Sequence, residues 1–223
     1  MVPAGPSSLA AIDAAFESGH ALPPSIVLVE STRDEQLYSA LAKRVGCDDN
    51  VVFAGVGGTG SFREAVRTCR ALYAKYGGRM ASLRVGLIRD AGEDAAAAAQ
   101  SARDALELLG LVTVMMGALA EAVPFSGGFY VVPEDGAGGV ESLCWRSVET
   151  SANAAMTHQF IDRAASGREE PVERRHKRQV GAYVAAFAPR PDMSTAVAAA
   201  AGIWNFDSTP FDGLRRFLTA LAQ

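Results

Sequence analysis

Four carboxylates stand at spacings that suit a divalent cation. Glu30 follows an apolar run and Asp34 lies four residues later, and Asp90 and Asp94 repeat that spacing after a second apolar run. Residues four apart lie about one helical turn from each other, so the two acids of a pair could face one point. Clustered carboxylates repel one another unless a cation neutralises them, and hard oxygen ligands suit Mg²⁺ or Mn²⁺. The pattern therefore indicates a metal site.

Each acid also has an explanation that needs no metal. Asp34 and Asp94 fit the first turns of predicted helices, where a negative charge is stabilised by the helix dipole. For these two residues, taken singly, helix capping is the favoured interpretation. Glu30 and Asp90 each end an apolar strand, and for them a functional role is favoured.

The apolar runs before these acids predict strands, and the segments after them predict helices. Residues 25–30 form a short β-branched run, and Thr32 with Glu35 forms a capping box that opens a helix ending at Gly46. Further strands are predicted at 51–54, 83–88 and 129–132, and further helices at 61–76, 94–109, 140–165 and 172–187.

Alternation of strands and helices predicts an α/β fold with a mainly parallel sheet flanked by helices and a helical C-terminal third. Ligands bind such sheets outside the carboxyl ends of the strands, which would bring Glu30 and Asp90 to one crevice. We expect a single domain over 1–223, with a core at about 24–145 and a helical extension at about 146–223. Aromatic and aliphatic side chains are expected to pack the last helix onto the body, namely Trp204, Phe206, Phe211, Phe217 and Leu218.

Composition excludes several classes of protein. The chain has 223 residues, 49% of them hydrophobic, which suffices for a sizeable core, and its net charge of -4 argues against nonspecific nucleic-acid binding over the whole surface. The three cysteines form no CxxC pair, so neither a disulfide framework nor a zinc site is indicated. No leader is recognised, and the longest nearly apolar stretch, 111–120, is too short to cross a bilayer. We therefore expect a cytoplasmic protein without a membrane partner.

A glycine-rich loop, GVGGTG at 55–60, follows the second predicted strand. It fits the dinucleotide-binding fingerprint, but Asp90 lies 30 residues beyond Gly60, whereas the fingerprint's acid lies about 20 residues on. A dinucleotide-binding oxidoreductase is one alternative, and a plain tight turn is another. We favour a third interpretation, in which the backbone around Gly57, Gly58 and Gly60 and the following helix holds a phosphate of the substrate.

The segments VLVE at 27–30, with Asp34 downstream, and LIRDAGED at 87–94 resemble the two motifs of TOPRIM domains. Those domains occur in topoisomerases, primases and OLD-type nucleases. The resemblance extends to GVGGTG at 55–60, VPEDG at 132–136, GVESL at 139–143 and the tail at 206–218. Over nearly its whole length the chain is similar to a stand-alone prokaryotic family of TOPRIM-related proteins.

The resemblance implies Mg²⁺-dependent or Mn²⁺-dependent cleavage of phosphodiester bonds in DNA or RNA, with Glu30 and Asp90 as metal ligands and catalytic residues. OLD-type nucleases add an acid four residues after the glutamate, matched by Asp34, and a later acid, for which Glu141 is the candidate. Lys177 is the candidate cation that offsets charge in the transition state. Its basic neighbourhood at 174–178 is equally well explained as a solvated helix face.

Two positions depart from the TOPRIM pattern. Ser31 stands where a glycine is usual, and Gly92 replaces the second aspartate, which leaves Glu93 or Asp94 as a substitute. Loss of a ligand could remove a second metal ion. The alternative is therefore a catalytically degenerate module that binds nucleic acid, a nucleotide or a protein partner. OLD-type relatives combine this domain with an ATPase, often in phage defence, so an ATPase partner is expected, and homodimer formation is left open.

Overall fold

A computed structural model describes residues 9–20, 24–58, 61–79, 81–165 and 170–223. Its strands are β1 (Ser25–Val29), β2 (Val51–Gly55), β3 (Leu83–Asp90), β4 (Leu119–Ala122) and β5 (Phe125–Val132). Its α-helices are α1 (Leu9–Glu17), α2 (Thr32–Val45), α3 (Phe62–Tyr76), α4 (Ala95–Leu106), α5 (Val140–Val148), α6 (Ala152–Ala165), α7 (Val172–Phe187), α8 (Thr195–Ala200) and α9 (Asp212–Ala222).

The five strands form one sheet in the order β2-β1-β3-β5-β4. The first four strands in that order run parallel, and β4 pairs antiparallel with β5 at one edge. The predicted fold class is confirmed: a mainly parallel sheet is flanked by helices, and the C-terminal part is helical. The carboxyl ends of β1 and β3 are neighbours because these two strands pair directly.

Both faces of the sheet are covered, which explains why its central strands are continuously apolar. Along β1, Val27 and Val29 belong to the core beneath α2, α5 and α9, whereas Ile26 and Leu28 belong to the core beneath α1, α3 and α4. All four side chains are almost completely buried. When a strand is buried on both faces, only its ends are accessible to solvent. Polar side chains that could bind a ligand are therefore confined to those ends.

The last helix, α9, packs against one of the two cores, as the sequence predicts. The five expected residues, Trp204, Phe206, Phe211, Phe217 and Leu218, are all buried. The ring of Phe217 stacks on that of Tyr130 with centroids 5.9 Å apart. At the end of α9, the Leu221 carbonyl accepts hydrogen bonds from Ser25 Oγ at 2.5 Å and from Arg84 at 3.2 Å. The C-terminal helix is therefore tied to the first residue of β1.

Some elements differ from the sequence-based expectation. Strand β5 begins at Phe125 rather than at 129, and β4 and α1 were not predicted. The first half of β5 contains Gly127 and Gly128, which have low strand propensity and therefore read as a loop. The helix expected at 140–165 is two helices, α5 and α6, separated at 149–151.

Within the described residues, no helix combines the length and the apolar character that crossing a bilayer requires.

Phe217→Ala should destabilise the fold strongly. The ring is fully buried, so its removal loses apolar burial and leaves a cavity, and we expect the free energy of unfolding to fall by roughly 3–5 kcal/mol. Phe160→Ala is the matched control because that ring is 63% exposed, and it should change stability by no more than about 0.5 kcal/mol. Urea denaturation followed by circular dichroism measures both. Equal losses for the two variants would contradict the packing of α9.

Candidate functional site

Glu30 and Asp90 meet at the ends of β1 and β3. The backbone N–H of Asp90 donates a hydrogen bond to Oε1 of Glu30 at 3.2 Å. Strand register places Leu28 opposite Leu87, so the residues that follow emerge at the same edge of the sheet. The two acids with the strongest functional indication in the sequence are therefore direct neighbours.

The carboxylate of Asp90 lies beneath the first turn of α5. Its Oδ1 accepts a hydrogen bond from the Val140 N–H at 3.1 Å. A Cβ at Gly139 would lie 2.3 Å from Asp90 Oδ2, so no side chain fits between this backbone and the carboxylate. Glycine at position 139 thus lets Asp90 fill a place next to the helix N-terminus, where a negative charge is favoured.

The environment disfavours charge on both acids. Burial raises the pKa of Asp90 well above its ordinary value, and the charges of Glu30, Asp34 and Glu141 raise it further. Burial also raises the pKa of Glu30, although the Asp90 N–H and the charge of Arg89 oppose that effect. Raised carboxylate pKa values from burial and like charges are typical of functional sites.

Asp34 joins the cluster from the start of α2 but also caps that helix. Its Oδ2 accepts hydrogen bonds from the Ser31 N–H at 2.9 Å and the Ser31 hydroxyl at 2.7 Å. The capping box is therefore Ser31 with Asp34, so its placement at Thr32 and Glu35 was wrong by one residue. Glu35 instead accepts a hydrogen bond from the Gly55 N–H at 2.5 Å. Burial raises the pKa of Asp34, and its bonds with Ser31 offset part of that effect.

Glu141 lies in the first turn of α5 and contributes to the same electrostatic cluster. Burial is the main cause that raises the pKa of Glu141, and the charges of Asp34 and Glu173 add to it. The charge of Lys177 acts in the opposite direction. The charge of Glu141 thus acts both on Asp90 and on Lys177 of helix α7.

Asp94 and Gly92 have structural roles. Asp94 is exposed and caps α4, with Oδ1 accepting a hydrogen bond from the Ala97 N–H at 2.9 Å. Its role as a metal ligand stays a prediction. Gly92, at the position of the usual second aspartate, forms a two-way backbone bridge with Gly138, with N–O distances of 2.8 and 2.7 Å. This bridge joins the loop after β3 to the loop before α5.

Lys177 reaches toward the cluster from α7. Its Nζ donates a hydrogen bond to Glu173 Oε1 at 2.5 Å. That bond is the main cause that raises the pKa of Lys177, and the charges of Glu141 and Asp90 contribute. Glu173 was not predicted, although its spacing four residues before Lys177 is the usual spacing of a helical ion pair.

A hydrogen bond between Ser142 and His176 ties α5 to α7. The distance between Ser142 Oγ and His176 Nδ1 is 2.9 Å, and Ser142 is fully buried. Burial lowers the pKa of His176, and the charges of Arg146 and Arg175 lower it further, which favours the uncharged ring. Ser142 follows Glu141 in the sequence and His176 precedes Lys177, so this hydrogen bond brings the two segments together.

The glycine-rich loop lies beside Glu30. The Gly58 N–H donates to the Glu30 carbonyl at 2.9 Å, and both Gly57 and Gly58 have positive φ angles, 79° and 124°. A Cβ at either position would meet no atom of the described residues within 4 Å, so with respect to them the loop borders open space. Gly60, the third predicted phosphate-binding glycine, lies outside the described residues.

The dinucleotide-binding alternative fits this geometry poorly. The loop follows β2, an edge strand, and β1 separates β2 from β3, which carries Asp90. The Asp90 carboxylate is also engaged by the Val140 N–H on the α5 side. The acid that the fingerprint would require for a ribose is therefore directed away from the loop.

The donor set suits a hard cation, because Glu30, Asp34, Asp90 and Glu141 offer only carboxylate oxygens. In the described parts of the chain, however, no three or more His, Cys, Asp and Glu side chains are arranged to hold a metal ion as they stand. Asp34 Oδ2 is hydrogen-bonded to Ser31 in this arrangement. As a ligand, Asp34 would exchange these bonds for a bond to the cation.

Comparisons with other proteins give a family match. The family model described as "Protein of unknown function (DUF3226)" matches residues 24–223. A search of curated proteins finds no match. Among solved structures, the chain is similar to the C-terminal region of the Xanthomonas campestris pv. campestris OLD protein, with 12% identity, a TM-score of 0.40, and coverage of 90% of this chain and 96% of that one. A likeness at this level assigns no activity to the chain.

Asp90→Asn should stabilise the protein at high pH. Because the pKa of Asp90 is raised, the folded chain holds this proton to a higher pH than the unfolded chain, and stability falls as the pH rises above 3.8 through the folded value. Asparagine keeps the acceptor for Val140 and removes the charge. At pH 8 in EDTA, the variant should therefore unfold at a higher urea concentration than the wild type. Its free energy of unfolding should be larger by about 1.4 kcal/mol for each pKa unit of the shift.

The gain should shrink at pH 3, which is below 3.8, because the wild-type carboxyl group is then largely protonated in both states. Asp94→Asn is the matched control, because it replaces an exposed capping acid by a residue that caps equally well. If Asp90→Asn were less stable than the wild type at pH 8, the charge of Asp90 would not destabilise the folded state.

Proposed function

Since the chain belongs to the family described as Protein of unknown function (DUF3226), we propose its function from its own site: divalent-metal-dependent cleavage of phosphodiester bonds in DNA or RNA, as a TOPRIM-type nuclease. The observation that carries the proposal is the contact between Glu30 and Asp90 at adjacent strand ends. Asp34 and Glu141 support it, because their charges act on the same buried carboxylate.

Glu30, Asp90, Asp34 and Glu141 are the residues that would hold the cation. When bound, Mg²⁺ or Mn²⁺ would neutralise the carboxylates, polarise the phosphoryl group and activate the attacking water. Glu30 serves as ligand or as general base. Without a bound cation, burial raises the pKa of Glu30, which favours proton acceptance.

Lys177 supplies positive charge opposite these acids. An ammonium group next to the reacting phosphate stabilises the negative charge that develops in the transition state. Lys177 forms an ion pair with Glu173, and the charges of Glu141 and Asp90 also act on it, which supports this role. An ATPase partner, a role in phage defence and a homodimer stay predictions of the family resemblance.

A second candidate function is binding without cleavage. It is favoured by Gly92, which stands where the TOPRIM pattern has a metal-binding aspartate and which has no side chain to bind a cation. Its backbone instead forms a bridge with Gly138. The absence of a closed ligand set among the described residues points in the same direction. In this case the site would bind nucleic acid, a nucleotide or a protein partner.

Glu30→Gln distinguishes the two candidates. Glutamine keeps the shape and the acceptor for the Asp90 N–H but removes the charge, so we expect cleavage to fall roughly a hundredfold or more. Plasmid nicking and RNA cleavage are measured with Mg²⁺, Mn²⁺ or EDTA. Glu121→Gln is the matched control, because Glu121 is exposed on β4. Metal binding by the wild type with no cleavage of any substrate would favour the binding module.

Lys177→Met should slow turnover more than it weakens substrate binding. If the ammonium group acts mainly in the transition state, kcat should fall roughly tenfold to a hundredfold while KM changes little. Lys43→Met, at an exposed position on α2, serves as the control. A KM effect of equal size with unchanged kcat would instead place Lys177 in ground-state binding of the phosphate backbone.

A further inference from the structure

Arg89 is a buried charge with unsatisfied donors. The residue is 6% exposed, and it lies in β3 directly before Asp90. Among the residues that the structure describes, neither Nε nor Nη1 of Arg89 has a hydrogen-bond partner. Buried charged donors without partners are costly, so such a group indicates that a partner is missing.

A second arginine provides an internal comparison. Arg103 and Arg89 each place the guanidinium carbon 5.2 Å from the centroid of a phenylalanine ring, Phe129 and Phe62 respectively. The Nε of Arg103 donates to the Val114 carbonyl at 3.2 Å, whereas that of Arg89 has no acceptor in the described part of the chain. Stacking on an aromatic ring therefore does not by itself explain the open donors of Arg89.

The surroundings of Arg89 suit an anion. Phe62 is the first residue of α3, and the preceding Ser61 makes no side-chain hydrogen bond to cap that helix. The glycine-rich loop at Gly57 and Gly58 leads into this helix and borders open space. The nearest carboxylate, that of Glu30, lies 3.9 Å from Arg89 Nε, which is too far for a hydrogen bond.

Side chains alternate along β3, so Arg89 and Asp90 act on opposite faces of the sheet. Asp90 faces α5, and Arg89 faces α3. The guanidinium of Arg89 and the carboxylate of Asp90 therefore lie on opposite faces of the sheet, and Glu30 contacts both residues at the strand ends.

We propose that Arg89, with the first turn of α3 and the Gly57–Gly58 loop, binds a phosphate group of the nucleic-acid strand on the side of Glu30 opposite Asp90. The guanidinium has open N–H donors at Nε and Nη1, and its positive charge strengthens a hydrogen bond from either of them to a phosphate oxygen. Binding requires a small rotation of the side chain toward the loop, because both nitrogens are covered in this structure. The proposal deepens the proposed function, on which the identity of the ligand rests.

The test follows the Arg89 side chain during titration of the intact chain in EDTA. The probes are a hexathymidylate, its uncharged methylphosphonate analogue and inorganic phosphate, and the readout is the Nε–H resonance of Arg89 in ¹H–¹⁵N spectra. We expect this resonance to move with hexathymidylate and not with the methylphosphonate. A response to inorganic phosphate of the same affinity would identify a general phosphate site and overturn the assignment to a strand.

Affinity for hexathymidylate should fall about tenfold in Arg89→Gln and remain unchanged in the matched control Arg103→Gln. Because Arg89→Gln can also disturb folding, Arg89→Lys and the wild-type resonance provide independent readings. Retention of most of the affinity by the lysine variant would support an electrostatic contact. An Arg89 resonance that does not respond at saturation would overturn the proposal, whatever the variants do.

This experiment separates the two proposals. A responsive Arg89 in a chain that cleaves nothing would leave the phosphate subsite standing and refute the nuclease. Metal-dependent cleavage by a chain whose Arg89 does not respond would refute the subsite alone.

Discussion

The placement of a buried carboxylate beneath the first turn of α5 is the constraint on which the site depends. Asp90 is removed from water and lies near the charges of Glu30, Asp34 and Glu141. One hydrogen bond from Val140 and the dipole of α5 offset only part of that cost. A proton or a cation would relieve the remainder, which is why this arrangement favours a binding function over a purely structural one.

The architecture around the cluster keeps these like charges together. Two apolar cores hold β1 and β3 side by side, so Glu30 and Asp90 emerge at one edge of the sheet. The bridge between Gly92 and Gly138 fixes the loop before α5, and the bond between Ser142 and His176 fixes α7 against α5. The helical C-terminal part is therefore more than an extension of the core, since α7 supplies Glu173 and Lys177.

The sequence predicted the strand-end acids because an apolar β-branched run followed by a carboxylate is a local pattern. It also predicted the end of α2 at Gly46, but it placed the N-terminal cap one residue too late. It did not predict β4 or the first half of β5, because the short strand β4 and the glycines of β5 resemble a loop. The open donors of Arg89 and the fit of Gly139 over Asp90 depend on contacts between distant segments, and no local pattern carries that information.

The same limit explains the ambiguity of Asp34. As a sequence feature it fits both a helix cap and a metal ligand, and in the structure its carboxylate caps α2 while its charge acts on Asp90. At Gly92 the expected ligand set lacks a side chain, and the backbone has a structural role through its bridge with Gly138.

The most direct test of the central claim is anomalous diffraction from crystals grown with Mn²⁺. We expect a manganese peak at the carboxylates of Glu30 and Asp90, with Asp34 rotated away from Ser31. A peak that avoids both residues, or no peak at a Mn²⁺ concentration that saturates the protein in solution, would contradict a shared cation at these strand ends.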